Sequence, residues 1–341
     1  MISFSRQLTE FSQTMNTRFL LPLLALATTL HAADWPQYRG LTGDGRTAEK
    51  VLKPWPATGP KVLWKVPTPA GFSSFAVANG KAFTLILREA DGAKQETVLA
   101  LDANTGKELW AVPLGSATYK GGGDSGAPDN SGGDGPRSTP TTDGTRVFTL
   151  SGNLALQAFD AATGKVAWSK DLIAEHAGRN ITWHNAASPL LEGGLLFVAG
   201  GGPDESLLAI DPKDGKVVWK AFDEKMTHAT PTAATILGQR QIIFFVQSGL
   251  LAVEPKTGKE LWRYAFNYST STAASPVVAG DIVYCSAGYG VGAGAVRVAK
   301  SGDAWSATEL YRMRGNKPLA NHWSTPVVKD GHLYGMFQFK E

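Results

Sequence analysis

Four ionisable residues recur at a comparable place along the chain. Arg137, His184, His228 and His322 each lie shortly before a Ser/Thr-Pro step, at Ser138-Thr139-Pro140, Ser188-Pro189, Thr230-Pro231 and Ser324-Thr325-Pro326. Imidazoles titrate near neutrality when unperturbed, so three of them beside an arginine would make a basic surface that responds to pH. Trp183 and Trp323 adjoin two of the histidines and could offer flat faces to a sugar ring or another planar ligand. A three-histidine metal site would need bonds near 2.1 Å, which is demanding for side chains on separate repeats. The six residues therefore read as a binding rim for an anionic or carbohydrate-like partner. No catalytic residue and no metal ligand is assigned.

Other chemistry finds little local support. Cys285 is the sole cysteine, which excludes an intrachain disulfide, a Cys-rich zinc site and a c-type haem attachment. The segment 120–135, KGGGDSGAPDNSGGDG, carries Asp124, Asp129 and Asp134 but lacks the order of a calcium loop, so it reads as a flexible linker. The run Gly288-Tyr-Gly290-Val-Gly292-Ala-Gly294 resembles a dinucleotide loop only superficially, because no helix follows it. Neither a GxSxG nor an HExxH motif occurs. A net charge of +3 without any Lys/Arg cluster gives no case for nucleic acid.

The elements that must position the rim are announced by a repeat. Ala100-Leu-Asp102-Ala-Asn-Thr105-Gly106-Lys107-Glu-Leu-Trp110 is echoed by 158–168, 209–219 and 252–262, ending at Trp168, Trp219 and Trp262. Each copy reads as an apolar strand, a four-residue turn and a second strand carrying Trp. The glycine suits a turn position with positive φ, and the preceding acid can accept bonds from turn amides. The Ser/Thr-Pro steps, with a further copy at Ser275-Pro276 and a Pro-less one at Ser73-Ser74-Phe75, alternate with these turns. Four short strands per repeat describe a β-propeller.

The predicted units run over 72–112, 138–172, 187–222, 229–266 and 274–313; in the last the turn decays to Lys300-Ser-Gly-Asp303. A sixth begins at Ser324 with two strands. The segment 61–66 carries Trp64 where an outer strand would, and is expected to complete the last blade of a longer propeller. The sequence is accordingly read as lacking at least one strand. Only 171–178 suggests a helical turn.

At 341 residues, with 43% hydrophobic and 18% charged residues, the chain has the composition of a soluble globular protein. Its 38 Gly suit a fold of many tight turns. Residues 19–29, FLLPLLALATT, follow Arg18 and lead to Ala32-Ala33, the pattern of a secretory signal peptide with cleavage before Asp34. Met15 is a plausible start. The apolar run is shorter than the roughly 20 residues that span a bilayer. The expected organisation is a signal peptide over 1–33, an N-terminal extension over 34–60 and a propeller over 61–341. The product would be exported, periplasmic or extracellular, monomeric, and not anchored through a lipidated Cys.

The Ala-x-Asp-x-x-Thr-Gly-Lys-x-x-Trp run resembles the tryptophan-docking motif of the pyrroloquinoline-quinone-type propeller repeat family. The opening Asp34-Trp-Pro-Gln-Tyr-Arg-Gly40, with Asp44-Gly45 following, is similar to secreted members of that family. The resemblance implies seven or eight blades, with Trp64, Trp110, Trp168, Trp219 and Trp262 each packed across a gap onto the next blade. Its dehydrogenases hold the quinone beneath a disulfide of adjacent cysteines and use calcium. Here Tyr284 and Ser286 flank Cys285, and no calcium constellation can be matched. Another branch is a lipoprotein scaffold for outer-membrane β-barrel assembly, whose lipid-bearing Cys has no counterpart here. The resemblance thus favours a non-catalytic scaffold that binds a protein, glycan or small molecule. A quinone-dependent alcohol or sugar dehydrogenase is the alternative, and PQQ and calcium belong to it alone.

Overall fold

The computed structural model describes residues 33–50, 54–119, 135–268, 270–315 and 320–337. The proposed signal peptide and nearly all of the Gly-rich segment 120–135 lie outside the described residues.

Five four-stranded antiparallel sheets and a two-stranded pair follow one another along the chain, each connected in simple sequence order. The first blade comprises Ala76–Ala78, Lys81–Ala90, Ala93–Asp102 and Glu108–Ser116 (β1 to β4). The second comprises Thr141–Thr142, Arg146–Leu150, Ala155–Asp160 and Val166–Asp171 (β5 to β8), followed by the one-turn helix Leu172–Glu175 (α1). The third holds Leu190–Glu192, Leu195–Ala199, Leu207–Ile210 and Val217–Ala221 (β9 to β12), and the fourth Thr232–Ile236, Gln239–Val246, Gly249–Val253 and Glu260–Ala265 (β13 to β16). Val277–Ala279, Ile282–Ala287, Gly292–Ser301 and Ala304–Met313 (β17 to β20) form the fifth, and Val327–Lys329 with His332–Tyr334 (β21 and β22) the final pair. This is a β-propeller of four-stranded blades. The second and third strands of each blade are the most buried, with Phe83, Phe148, Phe197 and Phe244 sealed between neighbouring blades. Outer strands are the more exposed: β8 holds no buried residue, and β16 alternates buried and exposed ones, as in a sheet edge that faces water on one side.

The repeated turn is built as its residues require. Asp102 Oδ1 accepts from the Asn104 and Thr105 amides at 3.0 and 2.9 Å and from the Thr105 hydroxyl at 2.9 Å. Asp160 and Glu254 repeat this arrangement. A β-bulge recurs just before the acid, between Ala100 and Leu101, Ala158 and Phe159, Ala209 and Ile210, and Ala252 and Val253. Gly106, Gly164, Gly215 and Gly258 all have φ between 71° and 74°.

These glycines serve a second purpose. A Cβ on Gly106 would fall 2.6 Å from the Trp64 ring, one on Gly164 2.8 Å from Trp110, one on Gly215 2.9 Å from Trp168 and one on Gly258 2.7 Å from Trp219. Each indole thus lies on the turn of the following blade. Its Nε1 donates to a turn carbonyl, at Ala103, Ala161, Pro212 and Pro255 respectively, over 2.8–3.2 Å.

Two places depart from the regular repeat. Trp262 meets no turn glycine on the fifth blade, although it shares a buried cluster with Val283, Val296 and Val298 of that blade. The decayed motif there closes as a two-residue turn at Gly302-Asp303 between ten-residue strands, and a Cβ on Gly302 would meet nothing within 4 Å. With no turn carbonyl in place, the Trp262 Nε1 donates to the buried Gln241 Oε1 at 2.7 Å. The segment 61–66 has no strand pairing either, although Trp64 occupies the docking position of an outer strand against the first blade.

Candidate functional site

The Ser/Thr-Pro steps stitch the innermost strands together. The Ser74 amide donates to Thr139 Oγ1 at 3.1 Å, the Thr139 amide to Ser188 Oγ at 2.9 Å, and the Ser188 amide to Thr230 Oγ1 at 2.9 Å. The Ser275 amide donates to Thr325 Oγ1 at 2.9 Å. Thr139 and Ser188 therefore supply both an N–H and a hydroxyl to a belt along the channel, and Ser275 Oγ is buried without a partner where the belt would pass from the fourth blade to the fifth. The proline that follows in most copies has no N–H to compete, and it holds the preceding residue extended.

Just ahead of the belt, the predicted rim residues come together. Arg137 donates to the Trp183 carbonyl at 3.2 Å. His228 Nε2 lies 2.9 Å from the His184 carbonyl, while its Nδ1 meets Ser271 Oγ at 2.9 Å. The His322 carbonyl accepts from the Ala273 and Ala274 amides at 2.9 and 3.0 Å. Arg137, Trp183, His184, His228, His322 and Trp323 thus share the end of the channel at which the inner strands begin. His184 sits at φ 60°, its amide bonded to the Ile181 carbonyl, a turn that presents its own carbonyl to His228.

The rim differs electrostatically from the sequence expectation. His184, His228 and His322 are buried rather than solvent-facing. Burial pushes His228 down to about 4, with Arg137 and the other two histidines adding to the effect against the opposing bond to His184. Burial likewise lowers His322 to about 4. Near neutral pH these two imidazoles are uncharged, so His228 and His322 do not add the positive charge that the reading of the sequence gave them.

Residues that the sequence did not single out complete the site. The Arg137 guanidinium carbon lies 5.5 Å from the Tyr119 ring centre and 6.0 Å from that of Phe72. Tyr119 is fully buried, stacks obliquely on His184 with centroids 4.9 Å apart, and donates its hydroxyl to Glu96. Glu96 is buried as well and accepts from the Gly152 amide at 3.0 Å; burial raises its pKa against the effect of these bonds. At the other side Trp323 and Tyr289 meet His322 edge-on, with centroids 4.1 and 5.0 Å away. Phe72, Trp183, Tyr289 and Trp323 are 52%, 42%, 47% and 61% exposed, a concentration of aromatic surface at one channel end. Only the Trp residues could have been suspected beforehand, through their histidine neighbours.

The described residues do not fit a quinone held with calcium beneath a pair of adjacent cysteines. Cys285 is buried between two non-cysteine neighbours, and burial pushes its thiol up, away from the reactive thiolate. The Glu96 carboxylate is already committed to Tyr119 and Gly152. Among the described residues no group of three His, Cys, Asp or Glu side chains converges as a metal site would.

Comparison with known proteins places this geometry. The family described as outer membrane protein assembly factor BamB matches residues 94–335. The search of curated proteins finds no match. Among solved structures, BamB from Moraxella catarrhalis is 17% identical, with TM-score 0.47, over 77% of this chain and 66% of its own. A europium-containing methanol dehydrogenase is 14% identical, with TM-score 0.50, over 76% and 63%. Quinohemoprotein alcohol dehydrogenase from Comamonas testosteroni is 15% identical, with TM-score 0.52, over 89% and 52%. This chain spans between about half and two thirds of the length of these three structures. At such identities the likeness extends to the fold alone.

Proposed function

The chain belongs to the PQQ-like propeller family described as outer membrane protein assembly factor BamB, and from that premise we propose that it is an exported, non-catalytic binding module. Its ligand is an acidic carbohydrate, held at the rim formed by Arg137, Trp183 and Trp323. The observation that carries this reading is the set of exposed aromatic rings on this rim, with Phe72 and Trp183 beside Arg137 and Tyr289 and Trp323 around His322. Sugar rings stack their C–H faces on indoles, and a guanidinium pairs with a carboxylate through two parallel bonds. The buried, neutral imidazoles of His228 and His322 supply polarity beneath the rings without adding charge. The Glu96–Tyr119 pair braces the underside of Arg137 and favours one orientation of its guanidinium.

Isothermal titration with trigalacturonate, against neutral maltotriose as control, tests the reading. Trigalacturonate should bind, maltotriose should bind at least tenfold more weakly, and Arg137→Ala should remove the difference. Trp183→Ala and Trp323→Ala should weaken both sugars. Failure to bind either sugar, or binding that survives the loss of both indoles, overturns the proposal. Export is tested separately by the N-terminal sequence of protein recovered outside the cytoplasm, expected to begin near Asp34.

A further inference from the structure

The segment after residue 33 enters the channel from the end opposite the rim and shows what the inner strands can bind. Trp35 exchanges two backbone bonds of 2.8 Å with Val77 of the first blade. The Thr142 amide of the second blade donates to the Pro36 carbonyl at 2.8 Å, and the Leu191 amide of the third to Gln37 Oε1 at 3.1 Å. Arg39 then reaches the sixth unit, donating to the Thr325 and Pro326 carbonyls at 2.8 Å each. The segment thus meets blades one and two through successive main-chain carbonyls and blade three through the Gln37 side-chain carbonyl, and resumes at the sixth.

Val77, Thr142 and Leu191 occupy one register position, three residues after the belt Ser or Thr. Val77 and Leu191 also lie next to the pair that closes the hairpin. In an antiparallel pair, alternate residues turn their N–H and C=O away from the partner strand, and here that direction is the channel. The same position in the fourth and fifth blades falls on Ala233 and Val278. Their pairings, Ala233 with Ile242 and Val278 with Val283, stand an odd number of steps from the hairpin-closing pair, as for Val77. Both residues border a cavity of about 350 Å³ between Arg39–Arg46 and the strands β13 and β17. That volume lies within the range of small-ligand sites.

We propose that this cavity is a second binding site, which takes an extended peptide segment of a partner protein through the main-chain amides of Ala233 and Val278. The peptide would cross the inner strands as the chain's own segment does, one main-chain bond to each blade, with neighbouring side chains giving selectivity. The chain's own Trp35-Pro36-Gln37 run is the internal precedent: a peptide whose two main-chain carbonyls and one side-chain amide fall in step with the blades. The site lies at the far end of the channel from Arg137, so its fate is independent of the rim reading.

The probe is N-acetyl-Trp-Pro-Gln-amide, titrated into the ¹⁵N-labelled protein and followed by amide chemical shifts. Saturable shifts at Ala233 and Val278 are expected. Thr235→Trp, whose ring would fill the cavity, should weaken binding at least tenfold. Ala233→Pro serves as the second variant, because it deletes one donor at an edge position where no ladder bond is lost, and should have a comparable effect. Shifts confined to Val77, Thr142 and Leu191 would mean that the peptide merely competes with the segment, and would overturn the proposal. An absence of saturable shifts, or full affinity in a folded Thr235→Trp protein, would do the same.

Discussion

The Trp168 ring lies on Gly215 of the next blade so closely that a Cβ there would stand 2.9 Å from it, while its Nε1 donates to the Pro212 carbonyl at 3.0 Å. One glycine therefore meets two demands, a φ of 74° and a flat platform. Gly215→Ala should cost about 3 kcal/mol, combining left-handed strain with overpacking. Gly302→Ala is the internal control: it shares the positive φ, at 57°, but bears no ring, and should cost about 1 kcal/mol. Urea midpoints of the two variants check the difference. Equal losses would mean that the indole contact contributes nothing.

Truncating the other partner gives a second outcome. Trp168→Ala should destabilise by about 3 kcal/mol, the low end for a large aromatic, because one edge of the ring stays in water. Trp262→Phe tests the exception. It keeps most of the apolar volume but leaves the buried Gln241 Oε1 without its donor, at a cost of about 1–3 kcal/mol. Near-neutral behaviour of Trp262→Phe in thermal unfolding would show that the bond to Gln241 is not needed.

Much of this was legible in the sequence because the docking motif is local: acid, glycine and Trp lie within one hairpin and recur. The missing turn contact at Trp262 was written in a different place, in the shortened turn of the following blade, so the Trp's own surroundings gave no warning. Arg137 and the histidines could be placed on one rim by repeat register alone. Their register is nonetheless imperfect, since His184 and His322 stand one or two residues further from the belt than Arg137 and His228. Phe72, Tyr119 and Glu96 join the site from segments with no shared pattern. The crossing of blades by 34–39 is likewise invisible, because its partners are backbone amides that any residue could supply.

Acid should loosen the rim. His228 and His322 titrate near 4 in the folded chain and near 6.5 when unfolded, so the unfolded state binds more protons between those values. Their contribution is complete above about pH 6.5 and is lost as pH falls towards 4, by up to about 3 kcal/mol for each. Stability measured in urea across this window should fall with acidification, and more gently in His228→Gln. A flat profile in the unaltered protein would rule out these buried, neutral imidazoles.

The belt supplies the last prediction. Ser188 Oγ receives the buried Thr139 amide at 2.9 Å, and its own amide passes to Thr230 Oγ1. Ser188→Ala would leave the Thr139 N–H with no acceptor in a place closed to water, at a cost of about 1–3 kcal/mol. Ser188→Val should be no better, although it restores volume, because it restores no oxygen. Ser188→Thr should be nearly neutral, since Thr139, Thr230 and Thr325 already hold the same belt position in other blades. Hydrogen exchange at the Thr139 amide reads the bond directly. It should accelerate in the Ala and Val variants and stay slow in the Thr variant, whereas equal protection in all three would assign the belt's strength to packing.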